Sequence, residues 1–426
     1  MTTTATRPSP TSNQARTRIL LIVLATAAFL LSLAGSALKN TVQVYFLPIA
    51  DSYDSSRGAL ATATTLFAIA TAVASPLVGG LADRIGGAAT LALGTALAGA
   101  AFIGCALSEE LWLFVTVYGI VAAFAFAMLS FVPLGVLVDE LFGDGRKGLL
   151  YALLTNGAAV GFIVLVPLWS WLDTKASWES VLLVTGLVFL LVLAPLAMLT
   201  ARQASKVTSA SQDAPAVADT APEPARPVSF VERLREAVAA RELRALTLAF
   251  FSCGVTMAFI DVHFVPMVHD HGGSHSTSST ALVLLGIFEV AGGLLAGWLC
   301  DRGLIKSVLI AAYALRGGAM LLVSVSAEPV PAMAFGVVFG ISYLATVVAT
   351  TMWAAKSLPV SIRGTAMGLV WAIHAAGTAI GSQAGAGLAD LTGNYTAATL
   401  ASAALAGCAC LLVCATPAPP AAEAKR

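Results

Sequence analysis

Unbroken apolar runs of about twenty residues recur along this chain, and no other feature restricts its fold as tightly. The hydrocarbon core of a bilayer is about 30 Å thick, so a helix needs about 20 apolar residues to cross it. Such runs fall at 18–47, 59–80, 87–107, 111–137, 149–171, 179–200, 245–268, 278–299, 305–326, 331–353, 363–389 and 395–415. Lipid offers backbone N–H and C=O groups no partner, so each run must satisfy its own hydrogen bonds as a helix. Barrel strands would instead alternate apolar and polar residues over about ten positions. The expected fold class is therefore all-α integral membrane, with twelve transmembrane helices. Composition agrees. The chain is 58% hydrophobic and 11% charged, with a mean hydropathy of +0.87, whereas soluble domains carry about 25% charged residues.

The basic residues give an independent test of this count. With the N-terminus inside, the cytoplasmic segments hold all but four of the 23 Lys and Arg residues. Arg57 and Lys175 lie in outer loops, while Lys39 and Arg316 lie within helices. A wrong number of helices would scramble this partition, so the positive-inside rule supports both number and orientation. The chain divides into a cytoplasmic N-terminus over 1–17, a six-helix bundle over 18–200 and a linker over 201–244. A second six-helix bundle over 245–415 and a cytoplasmic tail over 416–426 complete it. Within the linker, the Ala/Pro/Ser-rich part from Ser211 to Pro227 reads as disordered. The basic amphipathic stretch Phe230 to Arg244 reads as a helix lying on the membrane surface.

The two bundles echo each other. Gly79-Gly80-Leu81-Ala82-Asp83-Arg84 follows the second helix, and Gly297-Trp298-Leu299-Cys300-Asp301-Arg302 follows the eighth. Gly, Leu, Asp and Arg recur at a fixed offset, as expected for repeated halves with a solute site between them. The six cysteines all sit in apolar runs without zinc-site spacing and read as small buried hydrophobes. The outer-loop group His269, Asp270, His271 and His275 lacks the regular spacing of a metal site. No Gly-x4-Gly-Lys-Ser/Thr phosphate loop and no His-Glu-x-x-His occurs. Neither an enzyme, a cofactor nor a metal is therefore expected. Zero net charge provides no basic field for nucleic acid.

The repeated G-x-L-a-D-R loops resemble the signature loop of the major facilitator superfamily, and the resemblance covers essentially the whole chain. It implies two six-helix bundles related by a pseudo-twofold axis, and a monomer. It also implies gating roles for Asp83, Arg84, Asp301 and Arg302, the Asp pairing across the cytoplasmic gate and the Arg anchoring the loop. The basic pair usual after the first loop is replaced by Gly87 and Ala88. A narrower resemblance is to monocarboxylate transporters and the related oxalate/formate exchangers. It lies in Leu38-Lys39-Asn40-Thr41-Val42-Gln43-Val44-Tyr45-Phe46, in Glu289 and in the Arg363 to Tyr395 segment. That branch's helix-eight Arg is Gly293 here, its D-G-G-W-G-W opening is missing, and its G-W-R reads Ser177-Trp178-Glu179.

Ionisable groups inside the membrane cost about 2.5–3.5 kcal/mol even on lenient scales, and are tolerated where they face a polar path. Lys39 is the expected anion site, against the alternative of a lysine snorkelling to the outer interface. Glu289, among glycines in mid-helix, is expected to trade a proton as its surroundings open and close. Arg316 offers a bidentate fork for a carboxylate or a structural tie to a neighbouring helix. Asp261 and His263, two residues apart, point about 200° apart on a helix, so at most one lines the path. Asp261 is the one expected there, as a second proton-coupling group. His374 and Asn156 complete the expected substrate site. Gly293 and Gly297, and Gly377, Gly381 and Gly385, repeat every four residues, which permits close helix approach at a rocking interface.

Together these readings predict a multi-pass protein of the cell membrane with both termini cytoplasmic. Its function is expected to be secondary active transport of a small organic anion such as a monocarboxylate, linked to protons and driven by alternating access. Efflux of an amphipathic drug-like compound is the alternative. A non-transporting membrane sensor would need a folded cytoplasmic domain, for which the linker is too short.

Overall fold

The computed structural model describes residues 10–142, 147–212, 229–271, 273–326 and 328–420. Helix accounts for every regular element in that set. Eleven helices are long and apolar enough to cross a membrane: Arg18–Val44, Thr62–Ile85, Gly87–Ala106, Leu111–Leu141, Lys147–Asp173, Trp178–Thr208, Arg241–Asp270, Ser276–Asp301, Ile305–Val325, Pro329–Ser357 and Thr396–Ala415. Arg363–Thr392, 30 residues long, is the remaining one and is eleventh in chain order. Its Gly- and Ala-rich sequence is less apolar because it packs against the second and seventh helices instead of meeting lipid broadly.

Packing repeats between the halves. In the first half, helix one packs on five, two on four and three on six; in the second, seven packs on eleven, eight on ten and nine on twelve. The halves meet chiefly where helix two crosses eleven and helix five crosses eight. That arrangement is the pseudo-twofold anticipated from the duplicated loops.

Several boundaries differ from the sequence expectation. The first helix already begins at Pro10, and the sixth runs on to Gln212. Ala, Gln, Ser and Lys after Leu199 propagate a helix well enough to carry it beyond the apolar run. The basic stretch is two elements. A surface helix, Phe230–Ala239, opens with a full capping box from Ser229 and Glu232 and ends at Ala240, whose backbone is extended. Arg241 then starts the seventh membrane helix. Most of the expected disordered stretch, residues 213–228, lies outside the described residues, as does the tail after residue 420.

Several helices are interrupted where function is expected. The first breaks at Ser36 and again at Tyr45, leaving Lys39 on a short middle piece, Ala37–Val44. The seventh widens to a π-turn over Phe259–His263, just before Pro266, which has no N–H to donate. Asp261 sits in that turn.

Candidate functional site

At one end of the molecule the segments expected on the cytoplasmic side all converge. Asp83, at the end of helix two, accepts hydrogen bonds from Gly364 N (2.7 Å), Thr365 N (2.8 Å) and Thr365 Oγ1 (2.7 Å) at the start of helix eleven. Asp301, at the end of helix eight, accepts from Gly148 N (2.7 Å) and Leu149 N (2.9 Å) at the start of helix five. Each carboxylate therefore caps a helix N-terminus of the opposite half, where free amides and the helix dipole favour an anion. The signature glycines make this approach possible. A Cβ on Gly79 would strike the Gly364 carbonyl, and one on Gly297 would strike the Gly148 carbonyl.

A third carboxylate ties these two crossings. Asp139 pairs with Lys147 (2.8 Å) within its own half and with Arg363 (3.1 Å) across the interface. Its neighbour Glu140 accepts from Gly87 N at 3.1 Å, capping helix three where the family's basic pair is replaced. Sequence reasoning missed Asp139 and Glu140. A usable signal existed: Lys147-Gly148 and Arg363-Gly364 are basic-Gly pairs at equivalent helix starts. Arg84 is exposed and makes no cross-half contact among the described residues. Arg302 lies over its own helix's Trp298 ring, 3.3 Å from the centroid. Asp83 and Asp301 therefore close this face; Arg84 and Arg302 do not.

Towards the opposite end, the intramembrane charges gather. Lys39 Nζ lies 3.7 Å from Asp261 Oδ2, joining helix one to helix seven across the halves. Both side chains are nearly half exposed, 47% and 42%. Glu289 is half-buried, within electrostatic range of Asp261 and Arg316. His374 is buried, within range of both Arg316 and Lys39. Four of the expected ionisable groups and His374 therefore form one cluster, Lys39 and Arg316 with Asp261 and Glu289.

The members differ in availability. Arg316 is 0% exposed. Its guanidinium donates to Cys253 Sγ (2.8 Å), Thr256 Oγ1 (3.4 Å), the Ser342 and Tyr343 carbonyls (3.0 and 3.2 Å) and Thr346 Oγ1 (3.3 Å). It also lies over the Phe339 ring. Such a guanidinium ties helices seven, nine and ten, with no donor spare for a substrate in this conformation. Cys253 is accordingly more than a small hydrophobe, since its sulfur is a polar partner of Arg316. His374 Nε2 meets Met257 Sδ at 3.1 Å, and the ring packs on Phe250 and Trp371. Tyr343, missed by sequence reasoning, lies in range of Asp261, Glu289 and Arg316. Nothing in its local sequence marks it.

His263 turns away from the cluster, its Nε2 2.9 Å from the Ser382 carbonyl, so of the Asp261 and His263 pair one group joins the charges. Asn156 donates to Ala152 O while its Oδ1 is buried without a partner. It faces Gly293 on helix eight, one turn from Glu289. The helix-eleven glycines pack within the second half: Gly377 and Gly381 against helix seven, Gly385 against His263. Across the halves the small residues in contact are instead Gly297 with Gly148, Gly293 with Asn156, Gly79 with Gly364, and Gly368 with Ser75 and Pro76. Between charge cluster and closed face, Phe131 and Trp371 stack across the halves, centroids 4.5 Å apart and planes 2° from parallel.

Comparison with known proteins agrees with this architecture. The family model for the Major Facilitator Superfamily matches residues 20–268 and 245–426. The chain is 27% identical over 373 residues to the uncharacterized MFS-type transporter YcxA of Bacillus subtilis, covering 86% of this chain and 88% of the relative. It is 23% identical over 394 residues to monocarboxylate transporter 12 of Mus musculus, covering 87% and 80%. Among solved structures, the E. coli fucose:proton symporter FucP superposes with a TM-score of 0.69 at 16% identity, covering 92% of this chain and 98% of that one. The proton:xylose symporter XylE gives 0.71 at 12% identity, covering 92% and 95%. With two pseudo-symmetric six-helix bundles, paired carboxylate latches and a family match over nearly its full length, this chain belongs to the major facilitator superfamily and is a multi-pass membrane transporter, not an enzyme.

Proposed function

We propose that this transporter carries a small organic anion, a monocarboxylate, together with a proton, by alternating access across the cell membrane. The observation that carries the reading is the Lys39–Asp261 pair, which joins the halves while remaining nearly half exposed. An ion pair that exposed contributes about 0–1 kcal/mol, so an incoming carboxylate displaces Asp261 from Lys39 at little cost. Charge counting then calls for the proton. A carboxylate adds one negative charge to the cluster, and one proton carried with it on the Asp261 and Glu289 pair offsets that charge. A neutral load avoids carrying net charge through a low-dielectric path. Arg316 is a fixed positive background that holds the second half together. His374 and Asn156 flank the load as hydrogen-bonding groups, the orphaned Asn156 Oδ1 being free to accept a donor. The basic segments favour a cytoplasmic location for the latched face, and a latched inner face with a half-exposed Lys39–Asp261 pair fits an outward-facing state. Similarity to monocarboxylate transporter 12 at 23% identity supports the substrate class. That FucP and XylE are proton symporters by name supports proton linkage.

Uptake of a radiolabelled monocarboxylate into proteoliposomes tests this reading. An inward proton gradient accelerates uptake by the wild type. Lys39→Ala abolishes transport, and Glu289→Gln leaves transport that no longer responds to the gradient. Uptake indifferent to the gradient and unchanged in both variants sinks the proposal. The aromatic layer of Phe131, Trp371 and Phe250 favours a second reading, efflux of a planar amphipathic compound. Under that reading, resistance to such a compound falls in Trp371→Ala while Lys39→Ala has no effect.

A further inference from the structure

The two latches are not equivalent. Asp301 is held by two amides, and among the described residues no cation lies within ion-pair distance of it. Asp83 has three donors from Gly364 and Thr365, and a fourth contact from the surface helix: Arg233 Nη1 lies 3.7 Å from Asp83 Oδ2. The side chains are 11% and 1% exposed, so this contact is largely screened from water. Four residues earlier in the sequence than Leu234, Phe230 seats its ring on Gly80, where a Cβ would come within 2.8 Å of the ring. The same short helix touches the 360–362 turn and the start of helix eleven. It therefore rests on both sides of the crossing between helices two and eleven.

We infer that the linker helix Phe230–Ala239 is a working part of the gate, with Arg233 positioning Asp83 across the closed face and leaving when that face opens. Two features fit a part built to release. Arg233 Nε and Nη1 are buried with no hydrogen-bond partner, so the guanidinium sits in a half-satisfied niche whose attraction depends on Asp83 staying in place. When helix eleven withdraws from helix two, the niche opens to water and the unpaired N–H groups become hydrated, which lowers the cost of letting go. Phe230 meanwhile fits only because position 80 is glycine, so the helix is keyed to one site on the first half. Because the helix is covalently continuous with helix seven through Ala240, movement of the second half necessarily pulls on Arg233. This holds whatever solute is carried, and so stands apart from the monocarboxylate proposal.

The test is thiol labelling of the purified full chain from the latched face. Met367→Cys supplies the reporter, being 6% exposed and lining the space behind the latch. Native Cys253, 0% exposed inside the second half, reports unfolding. Adding Arg233→Ala is expected to raise labelling at position 367 about fivefold or more, with Cys253 still protected. Arg233→Lys, which keeps the charge, returns labelling close to the starting value. In an Asp83→Asn background, Arg233→Ala adds little, because its target is already lost. The inference is overturned if Arg233→Ala leaves position 367 as protected as before while Asp83→Asn exposes it. It is equally overturned if labelling of Cys253 rises in parallel, since the helix would then be a structural brace.

Discussion

Under the proposed function a single residue, Lys39, sets which solute chemistry the end opposite the latches offers. Its cation is the one basic group of the cluster with substantial exposure, while Arg316 is fully buried among oxygen and sulfur acceptors. The distinction was not legible in the sequence, where both are lone basic residues inside apolar helices. Depth was readable from spacing; which neighbouring helix each faces depends on packing. Two predictions belong at this scale. Asp261→Asn removes the group that competes for Lys39, so the apparent KM for the anion should fall. The same change removes one of the two carboxylates proposed to hold the accompanying proton, so gradient stimulation of uptake should shrink. Initial rates with and without a proton gradient check both effects. Arg316→Leu should instead act on stability. It removes the guanidinium's hydrogen bonds to Cys253, Thr256, Thr346 and the Ser342 and Tyr343 carbonyls, which tie helices seven, nine and ten, costing about 2 kcal/mol or more, seen as a lower melting temperature in detergent.

At the scale of elements, the helix count and the duplication were legible because lipid imposes length and polarity on every crossing segment. Segments expected on one side also share one end: residues 83, 139, 147, 233, 301 and 363 gather there. The ends of helices were less legible. Helix six outruns its apolar stretch because good helix formers need no lipid to stay helical. The surface helix was placed correctly at Phe230 and then overrun, since Ala240 breaks it without any Gly or Pro as a signal. Its start carries a prediction on pH. The Ser229 backbone N–H and hydroxyl hold the fully exposed Glu232 carboxyl below its ordinary value. A depressed folded value means the cap contributes above the ordinary carboxylate range and is lost as pH falls through the lowered value. Hydrogen-exchange protection at the start of this helix should therefore weaken on acidification in the wild type. In Glu232→Gln it should be weaker throughout, with no further acid-dependent loss.

For the whole molecule, the two ends are held by unequal means among the described residues, and under the proposed alternating access that inequality biases which end opens at rest. The latched face is closed by three carboxylates, two of them on helix N-terminal amides and the third bridging Lys147 and Arg363. The other end has one half-exposed ion pair between the halves. Hydrogen bonds to charged groups contribute about 1.5–3 kcal/mol each, whereas an exposed pair gives at most about 1. Rest therefore favours the latched state by several kcal/mol. The latches lie at separate crossings, two with eleven and five with eight, so their losses should add to a first approximation. Bonds that share one carboxylate do not add, so Asp83→Ala alone should remove about 1.5–3 kcal/mol of that bias and leave a mixture. Asp83→Ala with Asp301→Ala should remove about 3–6 kcal/mol, and about 5.5 kcal/mol carries a two-state equilibrium from 99:1 to 1:99. Spin labels at Leu141 and Lys356, near the ends of helices four and ten, would read the outcome. One short distance is expected in the wild type, two in either single variant, and chiefly the long one in the double. A double variant that keeps the short distance would mean the closed face is held by helix packing at Gly79–Gly364 and Gly148–Gly297, with the carboxylates adding little.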